Sequence, residues 1–264
     1  MVDITSLKNP KIKLAQDLRE KRDRDRNQLF LIEGFRELTR ALKGGVEIET
    51  LFYCPELFLG SNESNILDAC PRKLETSSQV FHKISYRDRP DGLLAIAKIK
   101  RKTLKDIPLK KPPFLLVAEA IEKPGNLGTL LRSSDAVGID GVIVVDKCTD
   151  IFNPNVVRSS VGTLFTIPVV EATGDETIEF LRKNDIQIVS TTPSATSEYT
   201  EVDLTKPIAI VVGTEQLGLS DKWLDQADIK VRIPMLGVAD SLNVATATTL
   251  MLYEALRQRR TVRR

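Results

Sequence analysis

A chain of 264 residues, 42% of them hydrophobic, can hold one large domain or two small ones with real cores. No run approaches the ~18 continuous apolar residues of a membrane-spanning helix, and the opening residues, with Asp3, Lys8 and Lys11 and no apolar run behind them, do not resemble a secretory signal. Net charge is only +2, yet positive charge gathers in KNPKIKLAQDLREKRDRDR from Lys8, AKIKRKTLKDIPLKK ending at Lys111, and the terminal RQRRTVRR, which suggests localised contact with a polyanion and no membrane partner.

From the N-terminus, LKNPKIKLAQDLREKRDRDRNQLFLIEG reads as a charged helix followed by a strand, FRELTRALKGG as a helix closed by Gly44 and Gly45, and ETLFYC as another strand. SNILDAC suggests a helix, and QVFHKISY, a short alternating segment, suggests strand or loop. His82, the one histidine, lies there, where a surface or packing role is the ordinary one. Its solitude removes Ser-His-Asp and Cys-His schemes in all but one placement and weakens every His-ligated metal site. Cys54, Cys70 and Cys148 are odd in number and widely spaced, which argues against both disulfides and zinc. A cytoplasmic protein without bound metal is expected. GLLAIAKIK has strong β character, and the Lys-rich, Pro-bearing KIKRKTLKDIPLKKPP behind it sets a domain boundary, dividing residues 1–105 from 106–264.

Strands and helices alternate from Phe114 onward. FLLVAEAI, GVIVVD, TLFTIPVV, IQIVSTT, PIAIVVG and IKVRIP read as strands, separated by the helices TLLRSSDAVG, NPNVVRSSVG, DETIEFLRKN and SDKWLDQA and closed by a long final helix. Such alternation predicts an α/β fold with a parallel sheet covered on both faces. The ligand site of an open sheet of this type lies beyond the C-terminal ends of its strands.

Four loops fall there. In EKPGNLGTLLR, Gly125 and Gly128 permit close backbone approach, Asn126 can bond a neighbour or a ligand, and Arg132 stands about one turn inside the following helix, near enough to reach an anion. NPNVVRSSVGT carries Arg158, Ser159 and Ser160 and ends at Gly162, STTPSA offers a strand tip, and in VVGTEQLGLS Gly213 and Gly218 bracket Glu215 directly after a buried strand. A carboxylate so placed has little use in packing. Neither G-x-G-x-x-G nor G-x-x-x-x-G-K-[ST] occurs, so dinucleotide and P-loop readings lose their support. The fifth piece is IPMLGVADSLNVATATTLMLYEAL. Asp240 or Ser241 can cap the final helix, Leu242, Ala245, Thr249, Leu252 and Leu256 have the spacing of one buried face, and the apolar IPMLG segment ahead of them is unusual for an exposed connection.

Taken in order, GNLGTLLRSSDAVG, VVGTEQLGLS and IPMLGVADSLNVATA resemble the three motifs of the SpoU-type (TrmH-like) RNA ribose 2'-O-methyltransferases of the SPOUT superfamily, with NPNVVRSSVGTLFTIPV as a recurrent intermediate segment and FLIEGFRELTRAL similar to the family's substrate-binding domain. The resemblance covers essentially the whole chain. It implies a C-terminal SPOUT domain with a deep trefoil knot over 106–264, preceded by a small α/β RNA-binding domain over 1–105. It implies S-adenosylmethionine as cofactor, held by Gly213, Ile233 and Leu242, with Thr191, Thr192 and Met235 closing the cleft. Arg132 would be the catalytic arginine and Asn126 would support its loop, while Glu215, Ser241 and Asn243 would line the reaction site. Because a guanidinium stays protonated in proteins, Arg132 suits an electrostatic clamp on phosphate and developing alkoxide better than a base. A structured RNA, in the first place ribosomal, is the implied substrate. A tRNA substrate, a resistance methylase acting on rRNA and a non-catalytic RNA-binding module stay open as alternatives. A homodimer is implied as well, with the GNLGTLLR loop and the final helix in its interface.

Overall fold

The computed structural model describes Val2–Val262, so Arg263 and Arg264 of the terminal basic run lie outside the described residues. The chain forms two compact units: one runs up to Lys100 and takes in Asp150–Thr166, and the other comprises Arg101–Thr149 and everything from Ile167 onward.

In the first unit, α1 (Pro10–Asp17) and α2 (Lys21–Asn27) replace the single charged helix expected from the sequence. Ile12, Ala15 and Leu18 recur on one buried face, and the chain then turns. Arg24 explains the break, because its guanidinium donates to the Leu18 carbonyl at 3.0 Å and the Arg19 carbonyl at 2.6 Å, groups left unpaired where the first helix stops. Behind α2 come β1 (Leu29–Glu33), α3 (Phe35–Lys43), β2 (Ile48–Tyr53), α4 (Ser64–Ala69), β3 (Lys73–Glu75), α5 (Ser78–Ile84) and β4 (Leu93–Lys98). The QVFHKI segment is therefore helical: the Ser77 hydroxyl accepts from the Val80 N–H, and Val80, Phe81 and Ile84 fall on one buried face with His82 exposed. The sheet order is β1-β4-β2-β3, antiparallel except for β2 and β3.

The second unit begins with β5 (Phe114–Glu119), α6 (Pro124–Val137) and β6 (Gly141–Val145). Pro124 starts α6 at its first position, where a proline's fixed φ suits the helix and its missing N–H costs nothing. Gly125 and Asn126 thus lie in a first helical turn rather than in a free loop. After β6 the chain enters the first unit, forming α7 (Pro154–Ser159) and a 3-10 turn at Thr163–Phe165. The expected strand TLFTIPVV shrinks to β7 (Val169–Ala172), because Phe165 packs against Phe30 at 5.9 Å between ring centroids instead of joining the sheet, with Phe152 at 4.8 Å from the same ring.

The remaining elements are α8 (Gly174–Lys183), β8 (Gln187–Thr191), β9 (Ser197–Glu198), β10 (Ile208–Val212), α9 (Asp221–Asp225), β11 (Ile229–Arg232) and α10 (Val244–Val262). The sheet runs β7-β6-β5-β10-β8-β11-β9, and every pairing in it is parallel. Residues alternate between two covered faces: Leu115, Val117, Ile143, Ala209 and Val211 join Leu181 and Trp223 in one core, while α6 and α10 pack together on the other side. No described helix is long and apolar enough to cross a membrane.

Candidate active site

The site follows from strand order. β5 and β10 are neighbours, parallel and in register to Ala118 opposite Val212, so the segments leaving their C-terminal ends emerge side by side. β10 also borders β8, which brings the Thr191-Thr192 tip to the same end of the sheet. Chain direction diverges here, β6 and β7 lying on one side and β8 and β11 on the other, which is where open parallel sheets form a crevice.

Glu215 lies at the centre. Asn126 Nδ2 donates to its Oε1 at 2.8 Å and Lys123 Nζ to its Oε2 at 2.5 Å, while Asn243 Nδ2 bonds Oε1 as well. Asn243 Nδ2 also reaches Asn126 Oδ1 at 3.2 Å. The Lys123 hydrogen bond, followed by that of Asn126, outweighs desolvation and holds the Glu215 carboxyl below the usual carboxylate range, with the Val244 N–H assisting. Glu215 is consequently an ionised acceptor with its lone pairs engaged, which binds the start of α6 and the start of α10 to the loop after β10.

Asn243 has a second role, which corrects the expected cap. Its Oδ1 accepts from the N–H of Ala245 at 3.0 Å and of Thr246 at 3.4 Å, and its carbonyl accepts the first helical bond from Ala247. Asn243, rather than Asp240 or Ser241, therefore caps α10. Ser241 and Leu242 precede the helix in the irregular segment, exposed and half-buried respectively.

Beside this cluster lies a cleft of about 380 Å³, within the range of ligand sites. Thr191, Thr192, Gly213, Glu215, Ile233, Met235, Ser241 and Leu242 all line it. Its acidic lining residues are Glu215 and Asp240, and no lysine or arginine is among the described residues lining it. A polyphosphate would find no counter-charge there; a ligand with a positive centre and an apolar ring would. Thr191 Oγ1 is buried at this wall with no hydrogen-bond partner, a polar group suited to a ligand atom. A Cβ on Gly213 would lie 2.2 Å from the Gly218 carbonyl oxygen, so glycine lets the loop fold back tightly, with Gly218 at a φ of +69°. These residues fit an S-adenosyl ligand.

Two expected contributors are elsewhere. Arg132 is exposed on α6, outside the cleft lining and with no acidic partner among the described residues. It is six residues beyond Asn126, about 240° further round at ~100° per residue, so the two side chains leave different faces of one helix. The NPNVVRSSVG segment lies in the first unit and contributes nothing to this cleft. Conversely, sequence reasoning missed Lys123. Its only signal was a cation directly ahead of a proline-started helix. It also missed the apolar walls Leu219 and Leu224.

A crevice at the diverging point of a parallel sheet, with a neutral-to-acidic apolar wall and a carboxamide-carboxylate cluster, defines a class of ligand-binding α/β enzyme other than the glycine-fingerprint nucleotide binders. The model of the SpoU rRNA Methylase family matches residues 113–253, more than half of the chain, and the MRM3-like substrate binding domain matches residues 9–95. The chain belongs to the SpoU rRNA methylase family. It is 31% identical over 261 residues, 96% of this chain and 98% of the other, to the 23S rRNA (guanosine(2553)-2'-O)-methyltransferase RlmP of Bacillus subtilis. Among solved structures, an RNA 2'-O ribose methyltransferase superposes with a TM-score of 0.87 at 42% identity, covering 97% of this chain and 98% of that one. An AdoMet-bound rRNA methyltransferase from Sinorhizobium meliloti gives a TM-score of 0.88 at 34% identity, covering 96% and 97%.

Proposed function

We propose that this chain transfers the methyl group of S-adenosylmethionine to a ribose 2'-hydroxyl of 23S ribosomal RNA, working in the cytoplasm where that RNA is. The observation that carries the reading is the meeting of Asn126, Glu215 and Asn243 beside a cleft free of basic side chains. The RNA 2'-O-methyltransferase names of its relatives supply the substrate class. The cofactor supplies a methyl group already activated by a sulfonium; an O–C bond forms, the S–C bond breaks, and the hydroxyl proton must leave.

The protein's part is alignment and electrostatics. Gly213, Ile233 and Leu242 hold the cofactor, with Thr191, Thr192 and Met235 enclosing it. Asn126, Asn243 and Ser241 face the ribose. Glu215 positions both asparagines. Its oxygens are already occupied by the donors of Lys123, Asn126 and Asn243, which leaves an RNA phosphate or water as the accessible proton acceptor. Arg132, always cationic, clamps the phosphate and the developing alkoxide.

Since Arg132 lies outside the cleft lining of its own chain, we read the enzyme as a homodimer in which it serves the partner's site. Residues 1–105 are assigned to RNA binding, and the chain after β11 to a deep trefoil knot. Two features support the knot: β10 enters between β5 and β8, and α10 returns against α6 and β10.

Incubating the protein with unmodified 23S rRNA transcript and tritiated S-adenosylmethionine, then mapping the label, tests the reading. A ribose methyl is expected, and Arg132→Ala should cut turnover at least a hundredfold, as losing ~3–4 kcal/mol of transition-state stabilisation does, while cofactor binding persists. A label found on a base, or an undiminished variant, refutes it.

A further inference from the structure

The NPNVVRSSVG segment has no place in the cofactor cleft, yet it is firmly built. Asn153 caps α7 by accepting the Asn155 N–H at 2.8 Å, Val156 and Val157 are buried, and a Cβ on Gly162 would approach Glu37 Cα to 2.9 Å. Asp150 closes the start of the segment with a buried ion pair to Arg24 at 2.7 Å. Within the first unit this packing brings Arg158 to a cleft of about 730 Å³, which it lines together with Phe35, Arg36, Leu59 and Arg89.

The charges of this cleft are sorted. Three of its acids are engaged internally: Glu37 pairs with half-buried Arg87 at 2.7 Å, Glu63 is buried and accepts the Gly60 N–H at 2.8 Å, and Asp91 accepts the Phe35 N–H at 2.8 Å. Arg36, Arg89 and Arg158 are exposed and have no acidic partner among the described residues, against one exposed acid, Asp88. Leu59, 78% exposed, adds an apolar surface beside half-buried Phe35. Planar cations beside an apolar lip match the two halves of an unstacked nucleotide, since guanidinium groups bind phosphate through paired N–H donors and also stack on bases.

We propose that this cleft grips an unpaired stretch of the RNA substrate, with Arg36, Arg89 and Arg158 on its phosphates and Leu59 against a base. The inference rests on the proposed function and deepens it: a residue that the sequence places between β6 and β7 completes the substrate-recognition cleft of the first unit.

The test uses the full-length protein. Filter binding and methylation of unmodified 23S rRNA transcript are compared between wild type, Arg158→Ala and the combined Arg36→Ala, Arg89→Ala, Arg158→Ala variant, with cofactor titration and thermal melting as controls of the fold. Expected are a threefold to tenfold rise in RNA KM for the single variant and at least thirtyfold for the triple. The slope of log affinity against log salt should become shallower by about 2, near 0.7 per lost single-strand phosphate contact. Arg158→Lys should recover part of the loss, and a ten-nucleotide single strand should compete for wild type better than the same sequence as duplex. RNA affinity and salt slope equal to wild type in the triple variant overturn the inference, as does better competition by polyglutamate than by RNA, which would make the cleft a site for acidic peptide. If wild type binds RNA but methylates no ribose, the functional reading fails alone, because the affinity comparison still judges the cleft.

Discussion

Glu215 shows how one side chain fixes the protonation of a site. Its donors come from two chain segments, the starts of α6 and α10, and their combined preference for the charged form lowers its pKa, the Lys123 hydrogen bond foremost. For a depressed carboxylate the sign is definite: the contribution of this cluster is fully present above the ordinary carboxylate range, near 4.3, and is lost as pH falls through the lowered folded value. Methyl transfer at neutral pH should accordingly show no inflection from Glu215. Replacing it with alanine releases Asn126 and Asn243, and misplacement of about an ångström can cost on the order of a hundredfold. Single-turnover methylation by Glu215→Ala should fall by about that factor. A rate inflection between about pH 6 and 8 that vanishes in Glu215→Gln would instead make Glu215 the proton acceptor.

At the level of elements, the loop after β10 is held by its own backbone: Thr214 N–H donates to the Gly218 carbonyl at 3.0 Å and Gly218 N–H returns to Thr214 at 3.2 Å. A methyl group at Gly213 drives these strands of the loop apart, so Gly213→Ala should weaken S-adenosylmethionine binding at least tenfold by calorimetry and lower the melting temperature as well. Equal affinity would show that the fold-back does not shape the cleft. Much of this was legible in the chain. Continuous β-branched runs such as IAIVV predicted buried parallel strands, and the glycines around Glu215 marked the loop. What escaped the sequence was decided by distant partners. The split between α1 and α2 depends on Arg24 turning to two carbonyls, the lost half of TLFTIPVV on Phe30, and the choice of Asn243 as cap on a carboxylate 28 positions upstream. On α10 the expected Ala245 and Leu252 are buried, but Val244, Thr248, Met251, Glu254 and Ala255 complete the stripe, while Thr249 and Leu256 are only half-buried.

For the whole molecule, the buried face of α10 limits which of its residues can join an interface. Leu252 is fully buried in its own chain, whereas Leu250 and Tyr253 are 38% and 49% exposed and are the apolar groups α10 would offer to the second copy of the proposed homodimer. A homodimer burying at least the ~1,200 Å² of a stable interface should dissociate in Tyr253→Arg, seen by sedimentation, while Leu252→Arg should unfold. Mixing Arg132→Ala chains with Gly213→Trp chains then tests sharing: heterodimers should regain roughly one working site each, and heterodimers that form yet stay inactive reject it. The path of the chain between the units has a bearing on biosynthesis too. Phe152 and Phe165 complete the packing on Phe30, and Asp150 answers the buried charge of Arg24, so the unit begun at the N-terminus cannot be finished when residue 100 leaves the ribosome. It must wait for residue 165, after β5, α6 and β6 have already emerged. Vectorial synthesis therefore interleaves the two foldings, and a truncated chain ending near residue 105 would expose both an unpaired arginine and an uncovered aromatic face to the quality-control machinery of the cell.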